Sequence, residues 1–200
     1  MLRQRGTSGA ARRTSAGVTR QCGSCRAPAA LQNETSYLAF LVERALVSIR
    51  RATIADTTGI LACLAAAFEP YRGSYTPTAF ADTVLTASTL ARRFQEMTVF
   101  VATQESGRIV GTIACGIVNP DEGHIRGMAV LPEWHGTGVA ARLLAHAESH
   151  FRERNCVRIS LDTTSPLKRA IRFYERFGFC KSAKNQDFFG MPLFEYVKTI

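Results

Sequence analysis

The chain has 200 residues, 46% of them hydrophobic and 20% charged, which suits one globular domain large enough to bury a continuous core. No uninterrupted apolar run approaches the roughly 18 residues that a membrane helix needs, so no membrane partner is expected. The net charge of +9 is uneven: residues 1–46 hold seven Arg against two acids, +5, which leaves +4 for Val47–Ile200. That mild excess, without an Arg/Lys stripe interleaved with aromatics, fits an anionic small ligand better than nucleic acid.

Met1 to Gln32 carries six Arg and no acid, with many Ser, Thr, Ala and Gly. It has no hydrophobic signal core, and although its composition resembles an organelle transit peptide, a disordered tail or an upstream start codon is the preferred reading. Residues 1–46 are therefore read as a basic extension and 47–200 as the folded domain, with Ser36 to Leu46 an undecided short helix. Cys22 and Cys25 form a CxxC, but no second Cys/His pair lies nearby, so no metal is expected. Cys63, Cys115, Cys156 and Cys180 are isolated, mostly in apolar stretches. That usage suits the reducing cytoplasm, with organelle targeting through the Arg-rich start as the alternative.

Val47 to Ala52 reads as a strand. Thr53 and Asp56 then form a capping box ahead of a helix with Ile60, Leu61, Leu64 and Phe68 on one face. A turn-forming loop, Glu69 to Tyr75, leads to Thr76-Pro77, an N-cap followed by proline at the first helical position. Helical periodicity continues to Met97 with a break near Thr86, and Thr98–Gln104 pairs with Arg108–Val118 as a hairpin. Gly123–Leu131 is the next strand, Val139–Phe151 an amphipathic helix and Val157–Leu161 a strand that the helical crossover makes parallel to the one before it. Ser165-Pro166 caps a further helix to Phe177, Gly178 sits where a left-handed C-cap is wanted, and strands near Phe179–Ser182 and Leu193–Lys198 flank a loop holding Phe188-Phe189-Gly190. The order is that of an α+β domain with a mixed sheet.

The most informative segment is His135-Gly136-Thr137-Gly138-Val139-Ala140, between a strand and a helix. Two glycines remove the side chains that block close approach to the backbone. The helix N-terminus behind them offers free N–H groups and the positive end of its dipole. The arrangement reads as a pyrophosphate cradle for a nucleotide cofactor.

Two motifs carry a family resemblance. Met128-Ala129-Val130-Leu131-Pro132, followed by His135-Gly136-Thr137-Gly138-Val139-Ala140, is similar to the strand end and Gln/Arg-x-x-Gly-x-Gly/Ala turn of the GNAT superfamily of acetyl-CoA-dependent N-acyltransferases. Ala170-Ile171-Arg172-Phe173-Tyr174-Glu175-Arg176-Phe177-Gly178-Phe179 resembles its second signature, Ala-x-x-Phe-Tyr-Glu-x-x-Gly-Phe. The resemblance covers Val47 to the C-terminus; His135 replaces the usual Gln or Arg, and Leu167 stands where many members have Asn.

The resemblance implies a mostly antiparallel sheet with one splayed parallel strand pair, and direct transfer of an acetyl group from acetyl-CoA to the primary amine of a small molecule or peptide. Gly136, Thr137, Gly138, Val139, Ala140 and Ala141 would hold the pyrophosphate through their amides, with His135 beside them. Met128, Ala129 and Val130 would bind the pantetheine arm through the main chain. Tyr174 falls where relatives carry the tyrosine that protonates the departing thiolate, and a phenol with a pKa near 10 is protonated at pH 7. His124 stands where many relatives have a Glu base, with Glu122 just before it and a water chain as a third option. Glu69, Tyr75, Asp162 and Phe189 are acceptor-site candidates. A homodimer is compatible with the resemblance, although no residue specifies one. Two alternatives stay open: a non-catalytic CoA- or acyl-CoA-binding module, and a dinucleotide oxidoreductase, since Gly136-x-Gly138-x-x-Ala141 also fits a relaxed Rossmann fingerprint.

Overall fold

The computed structural model describes residues 47–200; the expectations for the extension, the CxxC and the Ser36–Leu46 segment lie outside the described residues. In chain order the elements are β1 (Ser48–Arg51), α1 (Thr57–Phe68), α2 (Pro77–Val84), α3 (Ala87–Glu96), β2 (Thr98–Thr103), β3 (Ile109–Asn119), β4 (Glu122–Val130), α4 (Val139–Arg152), β5 (Arg158–Thr164), α5 (Lys168–Arg176), β6 (Cys180–Phe188) and β7 (Met191–Thr199). Short 3-10 segments cover Ile54–Asp56, Glu69–Ser74 and Pro132–Trp134.

The boundaries follow local chemistry. The Asp56 carboxylate accepts the Thr53 N–H at 2.8 Å, and Thr76 Oγ1 accepts the Ala79 N–H at 3.3 Å. The helical region does break at Thr86, which caps α3 after Leu85 takes a φ of 63°. Gly178 (φ 87°) ends α5 in a Schellman turn, with Phe179 N–H bonded to Tyr174 O and Gly178 N–H to Glu175 O, both at 3.0 Å. Two boundaries differ from the sequence reading. α5 begins at Lys168 rather than after Ser165, because a turn closed by Leu167 N–H on Thr164 O (3.1 Å) comes first. The Phe188–Gly190 loop is a tight hairpin end: β6 and β7 extend to it, and Phe189 (φ 50°) and Gly190 (φ 82°) take the positive φ of a primed turn.

The seven strands form one sheet in the order β1-β2-β3-β4-β5-β7-β6, antiparallel throughout except for β4 and β5. The α4 crossover imposes that parallel pair. The two faces of the sheet carry different helices. Gly116 and His124 lie opposite each other in β3 and β4, and a side chain at 116 would meet Met97 at the end of α3. A side chain at the neighbouring Gly123 would overlap the Phe151 ring of α4 instead. Adjacent strand residues point to opposite faces, so α3 and α4 sit on opposite sides. The core runs through both layers: Ile60 and Leu64 of α1, Val101 and Ile113 of the sheet, and Leu143, Leu144 and Phe151 of α4 are all at most 1% exposed.

One irregularity opens this sheet. β4 pairs with β5 from Glu122↔Arg158 to Ile125↔Leu161 and no further, although β4 continues to Val130 and β5 to Thr164. On its other side the β3 register slips between Thr112↔Ala129 and Ala114↔Arg126, and Gly127 there has φ 59°. A bulge bends its strand and adds twist, and here it turns β4 away from β5. Main-chain groups of both strands face the resulting gap without a ladder partner.

Candidate active site

The gap opens into a cleft of about 930 Å³ that reaches both faces of the sheet. At one end, Gly136, Gly138, Ala140 and Ala141 form its wall. Gly136 (φ 82°) and Gly138 (φ 88°) hold backbone that L side chains rarely adopt, and nothing lies within 4 Å of where either would carry a Cβ. The first intrahelical bond of α4 is Arg142 N–H to Gly138 O at 3.0 Å, so the amides at 139, 140 and 141 precede the ladder. Thr137 differs from its neighbours: its N–H (3.4 Å) and hydroxyl (2.7 Å) both donate inward to Trp134 O. Val139 is 2% exposed and packs in the core, its side chain off the cleft. The cradle is therefore a row of main-chain donors between two small-residue gaps, with Thr137 spent on shaping the turn.

Met128, Ala129 and Val130 line the middle of the cleft. His135 Nε2 lies 3.0 Å from Val130 O, so the imidazole bridges the glycine turn and β4 and donates to that carbonyl. Burial lowers its pKa from 6.5, and nearby Arg169 adds to the effect. From α5, Arg169, Arg172 and Arg176 also face the cleft. Their helical spacing places three cations on one side, a signal the sequence carried but the motif reading passed over. Thr163 Oγ1 is buried on the cleft wall with no hydrogen-bond partner among the described residues.

Tyr174 is 8% exposed and packs edge-on against Phe173 and Phe179. Its hydroxyl donates to Met128 Sδ at 3.4 Å, a weak thioether acceptor. Burial raises the phenol pKa and keeps it protonated.

At the other end, His124 and Asp162 meet across the β4–β5 seam. His124 Nε2 lies 3.7 Å from Asp162 Oδ2, and His124 Nδ1 lies 3.1 Å from Ser160 Oγ. The Ser160 hydroxyl reaches Gly123 O at 3.5 Å; with its hydrogen there, Oγ accepts from Nδ1–H and the neutral ring keeps its lone pair on Nε2. Burial lowers the His124 pKa; Asp162 opposes this, Arg126 reinforces it, and Glu122 and Glu195 oppose it more weakly. Glu122, the neighbouring candidate, is off the cleft and 3.3 Å from Arg158.

The acceptor-site candidates divide in the same way. Tyr75, Asp162 and Phe189 line the cleft, whereas Glu69 is outside it, paired with Arg72 at 2.7 Å. Tyr75 Oη lies 2.6 Å from Thr164 Oγ1, and Thr76 Oγ1 donates to Phe189 O at 2.9 Å. These two contacts tie the segment before α2 to β5 and to the β6–β7 turn. Asp82, Arg93 and Arg126 complete this end, with Arg126 bonded to Asp82 at 3.0 Å.

The profile of the acetyltransferase (GNAT) family matches residues 61–179, which hold the bulged strand, the glycine turn, α4, β5 and the tyrosine helix. The chain belongs to the GNAT acetyltransferase family. An acetyltransferase of Agrobacterium fabrum is 37% identical over 76 residues, 38% of this chain and 50% of that protein. N-alpha-acetyltransferase 30 of Schizosaccharomyces pombe is 30% identical over 77 residues, 38% of this chain and 51% of that protein. The chain thus spans about half the length of the curated relatives it matches. Among solved structures, PaiA N-acetyltransferase of Thermoplasma acidophilum in complex with coenzyme A superposes with a TM-score of 0.64 at 17% identity, over 77% of this chain and 99% of that one. The Escherichia coli ribosomal-protein-S18-alanine N-acetyltransferase gives 0.63 at 17% identity, over 78% and 94%. At these identities the structures speak for the fold: the mostly antiparallel GNAT sheet with one parallel pair.

Proposed function

We propose that this GNAT protein transfers an acetyl group from acetyl-CoA to the primary amine of a small molecule or peptide, by direct attack while both substrates are bound. The observation that carries the reading is one continuous cleft with a backbone anion cradle at one end, a protonated phenol in its middle and, at the other, a half-buried imidazole beside an exposed carboxylate. The residues present fit acetyl-CoA. Gly136 and Gly138 leave their cradle open, the amides at 139–141 precede the helix ladder, and Arg169, Arg172 and Arg176 add positive charge. The unpaired edges of β4 and β5 and the orphan Thr163 hydroxyl suit a strand-like polar arm. Acetyl-CoA as the donor substrate supplies the activated acetyl carbon.

The chain's own residues divide the remaining work. An ammonium entering beside Asp162 is stabilised by its carboxylate, and His124 Nε2 accepts the proton that must leave before the amine can attack. The depressed His124 pKa keeps that nitrogen unprotonated at neutral pH. As the new C–N bond forms and the acetyl C–S bond breaks, Tyr174 exchanges its weak bond to Met128 Sδ for one to the departing thiolate, which takes up the phenol proton and leaves as the CoA thiol; burial keeps that proton on Tyr174 until then. The curated relative in Schizosaccharomyces pombe, named as an N-alpha-acetyltransferase, supports an amine acceptor.

The test is thiol release from acetyl-CoA across a panel of amino acids, amino-acid amides, peptides, polyamines and aminoglycosides. Release that requires an amine supports the reading. CoA binding without release from any amine would make the chain a binding module instead.

A further inference from the structure

Arg93 is out of place by the usual rules of helix faces. Leu90, Arg93, Phe94 and Met97 follow the helical repeat that turns α3 toward the sheet, so an arginine occupies a position in the apolar stripe. About nine-tenths of its surface is covered. Among the described residues it has no hydrogen bond and no carboxylate within ion-pair distance, because the acids around it are engaged: Asp82 with Arg126 at 3.0 Å and Glu96 with Arg92 at 3.6 Å. A buried cation without a counter-ion is costly unless something else supplies the negative charge.

Its guanidinium is aimed into the cleft. Arg93 lines the wall, and its Nη1 lies 2.5 Å from where a Gly127 side chain would begin. The bulge glycine makes room for it, one residue from Met128 and three from His124. Burial, with Arg126 adding to it, lowers its pKa to about 10, so it remains charged at neutral pH.

We infer that Arg93 binds a carboxylate carried by the amine acceptor, so that the preferred substrate is an amino-acid-like zwitterion. This rests on the acetyltransfer reading and narrows it. The charges on this wall match such a ligand. The Arg126–Asp82 pair is self-compensated, and Asp187 is bonded to the Gly190 N–H at the β6–β7 turn (3.0 Å), which leaves Asp162 for the ammonium and Arg93 for the carboxylate. A planar guanidinium fork suits the two oxygens of a carboxylate, and one surplus positive charge balances a monoanion, whereas a phosphate dianion would leave negative charge uncompensated. The carboxylate belongs to a free amino acid or to an acidic first residue of a peptide, and the assay separates the two.

Wild-type protein is assayed with glycine, phenylalanine, β-alanine and 4-aminobutyrate, each against its carboxamide, and with the dipeptide amide Asp-Phe against Asn-Phe. At least one acid is expected to exceed its uncharged partner in kcat/KM by tenfold or more, because a site built for a polar group rejects the analogue that lacks it. R93Q should bring that ratio close to one, mainly through KM for the acid, and R93K should restore part of it. A free-acid preference without Asp-Phe preference identifies an amino acid, and the reverse identifies an acidic peptide start. Calorimetry of the N-acetyl acids and N-acetyl amides in the presence of CoA reads the same contact without turnover. Binding that favours the acids in wild type and not in R93Q upholds the inference even if no amine is acetylated, a result that would count against acetyltransfer alone. Acids and amides handled alike by the wild type, or a preference that survives in R93Q, would overturn it.

Discussion

Gly138→Ala separates two roles that a glycine in a turn ordinarily confounds: tolerating its own φ and leaving room for a ligand. Gly138 has φ 88° and open space where its Cβ would be. Gly107, in the β2–β3 turn, is its internal control, with φ 81°, nothing within 4 Å and no place on the cleft wall. An alanine held in the left-handed region costs about 1–2 kcal/mol at either site. For a domain of this size that corresponds to a fall in Tm of roughly 2–8 °C, similar in the two variants. Only at 138 does the new methyl enter the cradle. Loss of one charge-assisted bond from an amide to a phosphate oxygen removes roughly 1.5–3 kcal/mol, so the Kd for CoA should rise about 10- to 100-fold. Thermal melts and calorimetric titration of CoA on the wild type, G107A and G138A give both quantities. If G138A melts like G107A and binds CoA like the wild type, the amides after Gly138 do not hold a diphosphate, and the functional reading loses its anchor.

Two further predictions concern the proton-handling groups. Tyr174→Phe keeps the ring packing against Phe173 and Phe179 and removes only the hydroxyl, so kcat should fall roughly 10²-fold while CoA affinity holds; an unchanged kcat would take Tyr174 out of the reaction. With neutral His124 as the proposed base and its pKa lowered from 6.5 by burial, the pH–rate profile should lose activity only on the acidic side of that value. Asp162→Asn removes the carboxylate that raises this pKa against burial and Arg126, leaving Glu122 and Glu195 as the weaker opposing charges; the acidic limb should move to lower pH, and a limb that stays in place would disconnect His124 from the rate.

What the sequence revealed was what short-range rules control. Thr76-Pro77 started a helix and Gly178 ended one because capping is decided within a turn or so of chain. The two glycines beside a helix start announced main-chain donors without any knowledge of the fold. Choices that depend on register were harder to read. Glu122 and His124 lie two apart in β4, yet only His124 reaches the cleft, while Glu122 is held by Arg158 across the seam. The bulge at Gly127 has no distinct signature among the other glycines, although it separates β4 from β5. Arg93 did leave a trace: an arginine three residues after Leu90 and four before Met97 falls on the buried stripe. Its neighbour Arg92 concealed this, since either residue could have been the solvent-facing one.

The two ends of the cleft therefore differ in how they are encoded. The anion cradle consists of consecutive backbone amides, whose direction follows from φ at two glycines and the start of one helix. The acceptor end is assembled from Asp82 on α2, Arg93 on α3, His124 on β4, Asp162 on β5 and Phe189 at the β6–β7 turn, positions that converge only when the whole sheet has formed. A change at any of these side chains alters charge or shape for the acceptor and leaves the amides of the cradle where they were. On the proposed reading the donor is specified by main-chain geometry that a motif can reveal, whereas the acceptor is specified by a charge pattern, Asp162 together with Arg93, that exists only in three dimensions.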